Sequence, residues 1–398
     1  MSKYTRGREP YAPKVDRVEL PEGHVKLRAI LFGAAILLAV IAFGVGLNSL
    51  LMPQTGWQTI EAAERTPAAQ EISLQYRLGE GEKGIAAERK LVSQVYTRAL
   101  SQADAQLGAQ SGDTVNLYAL STHPNETVTV GDVLYQALED YLATGSRAIY
   151  FGPLYSYYNA FFAAQNDEDA AMYDPARNPG SADFVSEITA FATDPAQIGL
   201  ELPGENQVRL HVSESYLAYA RENELETLLD FGFVKNAFLI DAVADALEEA
   251  GLTGALLTSS DGFSRSLCED TLGVNLLERM GEAYRQAATG SYAGPASVAA
   301  LRAFPAGDAA RFYTYADGTV CAPVLDEATG FLTAQNDNLI LFGQGSAGVL
   351  ALQAMRALST WELDGLNCLY SRDGVVHCTD PAVTVSGLFE GVPLESGN

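Results

Sequence analysis

The sequence predicts an α+β domain that follows one N-terminal transmembrane helix. Residues 29–60 contain no charged residue and begin with a long apolar run. From residue 71 onward, segments in which every second residue is apolar alternate with segments in which apolar residues recur at helical spacing. The chain has 398 residues, 47% of them hydrophobic, so it can bury a sizeable core in one large domain or two smaller ones.

The predicted transmembrane helix covers residues 29–52, AILFGAAILLAVIAFGVGLNSLLM. About 20 apolar residues, at ~1.5 Å rise per residue, cross a hydrocarbon core of ~30 Å. A cleaved signal peptide is the alternative interpretation, but this run is longer than a usual signal-peptide core and no clear A-x-A-like site follows it. We therefore expect an uncleaved anchor in the lipid bilayer.

The segments on the two sides of this helix predict its orientation. Residues 1–28 are polar, contain seven basic residues and are broken by three prolines, which is typical of a short disordered tail. The first basic residue after the apolar run is Arg65. Because positive charge collects on the cytoplasmic side, the tail is predicted to be cytoplasmic. The remaining chain is then the extracytoplasmic part of a single-pass protein of the cell membrane.

The predicted outer part of the chain is strongly acidic. Of the 25 basic and 50 acidic residues in the sequence, seven basic and four acidic ones precede the apolar run. The 18 basic and 46 acidic residues that remain give the outer part a net charge of −28. Such a charge repels nucleic acid and anionic lipid headgroups, so no nucleic-acid partner is expected.

All four cysteines follow the apolar run, and an oxidising compartment permits them to pair in three ways. The segment CLYSRDGVVHC predicts a hairpin around Gly374 with Cys368 opposite Cys378. This geometry favours a disulfide between these two and leaves Cys268 with Cys321. A cysteine-based metal site is not expected, because the sequence has no C-x-x-C and only four histidines.

The first elements are predicted by their periodicity. Residues 53–70 are interpreted as a stalk, and the domain is predicted to span residues 71–398. Residues 71–78 alternate with period two and predict a strand, whereas residues 86–107 carry apolar residues at helical spacing.

A second helix is predicted over residues 130–145. Thr129 and Asp132 resemble a capping box at its start, and Gly145 suits its end. Residues 164–207 are rich in Asn, Asp, Pro and Gly, which indicates a long surface loop that leads into a short helix. The remaining elements are predicted in this order: short helix 181–192, helix 276–288, strand 311–325, strand 338–344, helix 347–361, hairpin 366–380 and strand 383–389.

A strand-turn-helix-strand unit is predicted over residues 228–262. LLDF is a short apolar run, and apolar residues recur at helical spacing between Lys235 and Gly251. The turn before this helix places free backbone N–H groups and Lys235 at a helix N-terminus, where a phosphate would be stabilised. The alternative is that Lys235 is an ordinary solvated lysine.

This unit also carries a family resemblance. Residues 229–262, LDFGFVKNAFLIDAVADALEEAGLTGALLTSSDG, resemble the D-L-G-G-I-A-K-G-Y-A-V-D and A-L-V-N-x-G-G-D core of the FAD:protein FMN transferases, the ApbE-like flavin transferases. Further stretches follow in family order. TGSRAIYFGPL resembles G-A-F-D-x-T-V-G-P-L, VLDEATG resembles H-I-I-D-P-x-T-G, and SAGVLALQAMRALSTWEL resembles A-x-x-A-D-A-L-A-T-A-L. Together with the closing hairpin, the resemblance covers roughly residues 70 to 390.

The resemblance implies an ApbE-like fold and an enzyme that binds FAD and uses Mg²⁺ to transfer FMN to a Thr or Ser of another extracytoplasmic protein. A metal ion and positioned donors would neutralise the charge that develops on the bridging oxygen. The positions that match the nucleotide-binding motifs are Lys235, Asp241, Asp261, Gly262 and Thr329. For the acids and Thr329, helix-surface and turn-forming roles are the alternative.

The metal motif differs from the family's at the positions that align with the metal ligands. The family's Asp and Thr of D-A-L-A-T align with Ala351 and Met355, and neither side chain offers the hard oxygen that Mg²⁺ requires. No Asp or Glu occurs between Asp337 and Glu362 to replace them. Other motif positions are also changed, namely to Ala148, Tyr150, Asn236, Ser259, Ser260, Pro323 and Glu327.

Three functions follow as hypotheses. The first is a degenerate relative that binds a flavin nucleotide weakly or recognises a partner, such as an extracytoplasmic flavoprotein or a membrane redox complex. The second is an active FMN transferase whose metal is held by other residues. The third is a structural module without flavin. The aromatic run at residues 155–162 suits flavin stacking, a partner-binding surface or core packing, and core packing is favoured.

Overall fold

The structure is a computed structural model that describes residues 55–81, 84–390 and 392–396. The predicted cytoplasmic tail and the predicted span at residues 29–52 lie outside these residues. Among the helices that are described, none combines the length and the apolar character that a bilayer crossing requires.

Helices and strands alternate along the described chain, as the sequence predicts. The helices are α1 (Pro67–Glu71), α2 (Ile85–Gln106), α3 (Leu117–Thr122), α4 (Asp132–Ala143), α5 (Gly152–Phe162), α6 (Asp167–Tyr173), α7 (Pro179–Thr193), α8 (Glu214–Glu222), α9 (Lys235–Glu249) and α10 (Ala347–Thr360). The strands are β1 (Gly56–Ile60), β2 (Ile72–Leu78), β3 (Thr127–Thr129), β4 (Ile198–Gly204), β5 (Gln207–Val212), β6 (Ala255–Ser259), β7 (Phe263–Ser266), β8 (Thr271–Met280), β9 (Ala283–Ala293), β10 (Ala296–Arg302), β11 (Tyr313–Thr314), β12 (Val320–Cys321), β13 (Asn338–Gly343), β14 (Cys368–Arg372), β15 (Val375–Cys378), β16 (Thr384–Ser386) and β17 (Leu394–Ser396).

A nine-stranded sheet forms the centre of the domain, in the order β1-β2-β6-β7-β10-β13-β14-β15-β17. Neighbouring strands are antiparallel except β15 and β17, which are parallel. Two three-stranded sheets, β3-β5-β4 and β16-β9-β8, and the short pair β11-β12 complete the β structure.

The central sheet has a different partner on each face, and β13 shows this clearly. Leu339 and Leu341 belong to the large core in which α2, α9 and α10 pack, whereas Ile340 and Phe342 belong to a smaller core with residues of β8 and β9. Because side chains alternate along a strand, a strand buried on both faces is a continuous apolar run, as NLILF is. The domain therefore has a helical layer, a central sheet and a β-ribbon layer.

The predicted helix at residues 276–288 is wrong. This segment forms the antiparallel ribbon of β8 and β9, which turns at Gly281 with φ +64°. Glu278 and Arg285 are cross-strand partners with a 2.7 Å ion pair, and Leu276 and Ala288 pack beneath the central sheet. The spacing of the apolar residues in this segment fits both the period of a helix and the period of a strand. Contact with the central sheet favours the strand.

Several predicted boundaries also change. Within the predicted stalk, β1 pairs with β2, and Thr66 caps α1 by accepting from the Ala69 N–H at 3.2 Å, so this part of the chain belongs to the domain. The predicted capping box fails because Thr129 ends β3 and α4 begins at Asp132 after Gly131. LLDF forms no strand, and the predicted 164–207 loop contains α6, all of α7, which includes the predicted short helix, and β4.

The predicted disulfide between Cys368 and Cys378 is wrong, and the hairpin register gives the reason. The hairpin forms, but Cys378 pairs with Leu369 rather than with Cys368. This one-residue difference sends the two thiols to opposite faces of the sheet, since Cys368 lies in the large core and Cys378 in the small one. Cys268 and Cys321 are free as well.

Candidate functional site

A cleft of about 680 Å³ opens beside the central sheet and is the candidate site. Its wall is built from the end of α1, the end of α5, Phe233, the β6–β7 turn, the end of β10, the loop 303–312, Pro323 with Val324, and Met355 of α10. The volume lies in the range of ~300 to 1,000 Å³ that is usual for small-molecule sites.

Asp261 lies in the wall of this cleft, at the β6–β7 turn. Its carboxylate accepts hydrogen bonds from the Asn236 side chain at 2.8 Å and from the Ser259 hydroxyl, and it pairs with Arg311 at 3.1 Å. The side chain is 12% exposed. Asp261 is therefore a rigidly held carboxylate at the edge of the cleft.

Arg311 connects two sides of the cleft. It comes from the loop 303–312 and bonds the Ser260 hydroxyl at 2.8 Å and the Glu71 carboxylate at 3.2 Å, in addition to Asp261. Asn236 donates to the same Glu71 at 2.6 Å. No local sequence pattern marks Arg311 or Glu71 as a site residue, because their partners are distant in the chain.

Gly262 completes the turn that carries Asp261. Its φ is +100°, and a Cβ there would meet the Ala300 carbonyl oxygen at 2.2 Å. The Ala300 N–H donates to the Gly262 carbonyl at 2.8 Å, so β6–β7 and β10 are joined here. A side chain would break this junction, which explains Gly262 by backbone geometry.

Lys235 does not line the cleft. It begins α9, and its ammonium forms a 2.7 Å ion pair with Asp104 of α2. Both side chains are about 30% exposed, so this pair contributes little stability. The residues that precede α9, Gly232–Val234, form a 3₁₀ turn.

Asp241 lies on α9 and caps the neighbouring helix α10. Its side chain is 9% exposed and accepts from the backbone N–H groups of Ala347 and Gly348, both at 2.8 Å. The Ser346 hydroxyl donates at 2.6 Å and Arg265 at 2.8 Å. These four donors satisfy the carboxylate and explain Asp241 without a ligand.

Thr329 lies on an exposed turn away from the cleft wall. Asp326 shapes the turn, because its carboxylate accepts from the N–H groups of Ala328 at 2.7 Å and Thr329 at 3.2 Å. Gly330 has φ +71°, and a Cβ there would meet the Thr189 hydroxyl at 2.2 Å. The turn geometry thus explains the residues of the D-E-A-T-G segment without a ligand.

The altered metal-motif positions lie at or behind the cleft. The Met355 side chain lines the cleft together with Pro323, and Ala351, one turn earlier on α10, is fully buried. The Glu327 carboxylate accepts hydrogen bonds from the Ser146 hydroxyl and from the Arg147 N–H, both at 2.6 Å. Both of its oxygens are therefore bonded to the turn before Ala148. In the described ranges 55–81, 84–390 and 392–396, no group of three or more His, Cys, Asp or Glu is arranged to hold a metal ion.

The aromatic run at residues 155–162 divides between the core and the cleft. Tyr155, Tyr158 and Phe161 are buried, and the Tyr158 hydroxyl donates to the Gly330 carbonyl at 2.7 Å. Phe162 instead lines the cleft beside Phe233, with ring centroids 6.1 Å apart and an interplanar angle of 70°. Core packing is confirmed for most of the run, and Phe162 supplies an apolar surface to the cleft.

Burial raises the pKa of several carboxyl groups above the ordinary value of 3.8. For Asp261, desolvation outweighs the lowering of the pKa by Arg311, Ser259 and Asn236. Burial likewise raises the pKa of Asp140 and of Asp230. Each of these groups binds its proton more tightly in the folded state than in the unfolded chain.

We expect the domain to become more stable as the pH falls from neutrality through the raised pKa values of these carboxyl groups. A carboxyl with a raised folded-state pKa contributes stability at low pH, and this contribution is lost as the pH rises through that pKa. The net charge of −25 adds self-repulsion at neutral pH. Thermal unfolding at matched ionic strength measures the effect, and Asp261→Asn should flatten the pH dependence. A melting temperature that falls steadily over this range would contradict the expectation.

Comparison with solved structures identifies the fold. The ApbE protein of Thermotoga maritima superposes with a TM-score of 0.52 at 11% identity, covering 79% of this chain and 94% of that one. The chain has the fold of the ApbE flavin transferases. The flavin transferase ApbE of Vibrio cholerae superposes with a TM-score of 0.50 at 13% identity, covering 84% of this chain and 99% of that one. No family model matches the chain, and no curated protein matches it in sequence.

Stretches that resemble separate ApbE motifs meet at the one cleft. They are the β6–β7 turn at Asp261, Pro323 of the H-I-I-D-P counterpart and Met355 of the D-A-L-A-T counterpart. These stretches are spread over about a hundred residues of sequence. These stretches therefore line a single cleft.

Proposed function

We propose that this protein is a membrane-anchored, extracytoplasmic protein of the ApbE fold that binds a flavin but does not carry out Mg²⁺-dependent FMN transfer. One observation carries the proposal. The cleft on which the motif stretches converge is open at about 680 Å³, yet the metal-motif positions at its wall are Met355 and the buried Ala351.

The lining of the cleft supports flavin binding. Phe162, Phe233 and Phe312 provide aromatic surface for a planar ring system, and Asn159 and Gln70 place amide groups in the same wall. Aromatic faces beside a few polar groups are the usual composition of a site that holds an apolar ring with polar edges.

The lining does not fit Mg²⁺ at the family's position. Mg²⁺ requires oxygen ligands in near-octahedral geometry, whereas Met355 offers a soft thioether and Ala351 no donor. The carboxylate of Asp261 is held by Asn236 and Arg311, and that of Glu327 by Ser146 and the Arg147 N–H. The proposal therefore includes no metal-dependent step. The partner that we propose from the family resemblance is an extracytoplasmic flavoprotein or a membrane redox complex.

A transfer assay with a parallel binding assay tests this function. The full-length protein is incubated with FAD, Mg²⁺ and an acceptor protein that carries a D-x-x-T-G-A-T segment, with the Vibrio cholerae enzyme as the positive control. We expect no fluorescent acceptor band after denaturing electrophoresis, together with saturable quenching of flavin fluorescence by the protein. A labelled acceptor would support the active transferase instead, and an absence of saturation would support a structural module.

A further inference from the structure

The charged groups of the cleft wall leave an excess of negative charge. The charged residues in the wall are Glu71, Asp261, Arg302, Asp308 and Arg311, which are three carboxylates and two guanidinium groups. No lysine or histidine occurs among the described residues of this wall. The cleft also belongs to a chain with a net charge of −25, so no surrounding positive field compensates the excess.

Both arginines are already committed to these carboxylates. Arg311 pairs with Asp261 at 3.1 Å and with Glu71 at 3.2 Å, and Arg302 pairs with Asp308. The side chains of the two arginines are at most 28% exposed, so solvent screens these ion pairs only partly. A phosphate that entered the cleft would have to displace a carboxylate from its arginine or remain unpaired beside it.

Phosphorylated flavins are therefore poorly matched to this wall. FMN carries a phosphate monoester of about −1.5 to −2 charge at pH 7, and the FAD pyrophosphate is comparably anionic. Like charges a few Å apart repel each other even in a high dielectric, and this repulsion weakens the binding of a phosphate. The isoalloxazine ring and the ribityl chain are neutral, and the aromatic wall of Phe162, Phe233 and Phe312 suits them equally in every flavin.

We propose that the cleft selects a neutral, unphosphorylated flavin of the riboflavin class over FMN and FAD. This inference rests on the proposed function, since it requires that the cleft binds flavin. It deepens that function by making the ribityl hydroxyl end, rather than a phosphate, the group that faces Glu71, Asp261 and Arg311.

Binding of three flavins to the full-length protein tests the selection. Riboflavin, FMN and FAD are titrated by fluorescence quenching at low and at high salt. We expect riboflavin to bind roughly tenfold more tightly than FMN at low salt, and the difference to narrow at high salt because salt screens the repulsion. Tighter binding of FMN or FAD than of riboflavin would overturn the inference and leave flavin binding in place. Failure of all three to bind would overturn the proposed function itself.

A charge-neutralising variant gives a second measurement. Glu71→Gln keeps the shape of a side chain that is 46% exposed, and it removes one negative charge from the wall. The affinity for FMN relative to that for riboflavin should rise roughly threefold to tenfold, because the removed charge repels only the phosphate. The matched control is Asp183→Asn, which removes a charge from the exposed surface of α7 and should change neither affinity. Equal effects of Glu71→Gln on both flavins would contradict selection by charge, and the melting temperature of each variant verifies that it is folded.

Discussion

Replacement of Asp241 with Ala is expected to lower the free energy of unfolding by about 3 to 5 kcal/mol, the cost of removing one partner from a buried ion pair. The carboxylate is 9% exposed and holds together three elements, namely α9, the N-terminus of α10 and Arg265 of β7. Its loss leaves the Arg265 guanidinium without its most buried partner and leaves the Ala347 and Gly348 N–H groups uncapped. Chemical denaturation followed by circular dichroism measures the change.

The control for this prediction uses a second partner of the same arginine. Asp245 pairs with Arg265 at 3.0 Å, but its side chain is 51% exposed, so Asp245→Ala should cost less than about 1 kcal/mol. The contrast separates the loss of a helix cap from the loss of an ion pair. Equal costs for the two variants, or a cost of less than 1 kcal/mol for Asp241→Ala, would contradict the capping role.

The helical layer was predictable because its sequence periodicity and its packing agree. Residues 86–107 and 347–361 carry apolar stripes at helical spacing, and α2 and α10 form within a residue of the predicted bounds. The segment 276–288 fits two periods, so only its contact with the central sheet decides its structure. The predicted pairing of Cys378 is wrong for a related reason. A register shift of one residue leaves the local sequence pattern unchanged but moves the side chain to the other face of the sheet.

The candidate site was predictable only in part. Asp261 and Gly262 were found because they lie at the position of the family's Gly-Gly-Asp turn. Arg311 was not found, since Glu71 lies 240 residues away in the sequence and no local pattern links the two. Asp241 was found for its motif position, but the sequence did not reveal that α10 would begin beside it. Contacts between distant elements thus determine which acids face the cleft.

Introduction of Asp at position 351 is the second change with a large expected effect. Ala351 is fully buried in α10, and this position aligns with the acidic metal ligand of the ApbE motif. A carboxylate placed there without a partner should lower the free energy of unfolding by at least about 3 kcal/mol. Mg²⁺ at millimolar concentration should not restore the stability, because the neighbouring position 355 carries a methionine, whose thioether is a poor ligand for Mg²⁺.

The same helix provides the control for position 351. Gln353→Asp introduces the same side chain at an exposed site of α10 and should cost less than about 1 kcal/mol, since it changes only helix propensity. Thermal unfolding of both variants with and without Mg²⁺ separates burial from propensity. If Mg²⁺ raised the melting temperature of Ala351→Asp and not that of Gln353→Asp, the remaining ligands would be intact and a single substitution would have removed the metal. If it raised neither, the position would have been rebuilt around an apolar side chain, as the burial of Ala351 and the thioether of Met355 indicate.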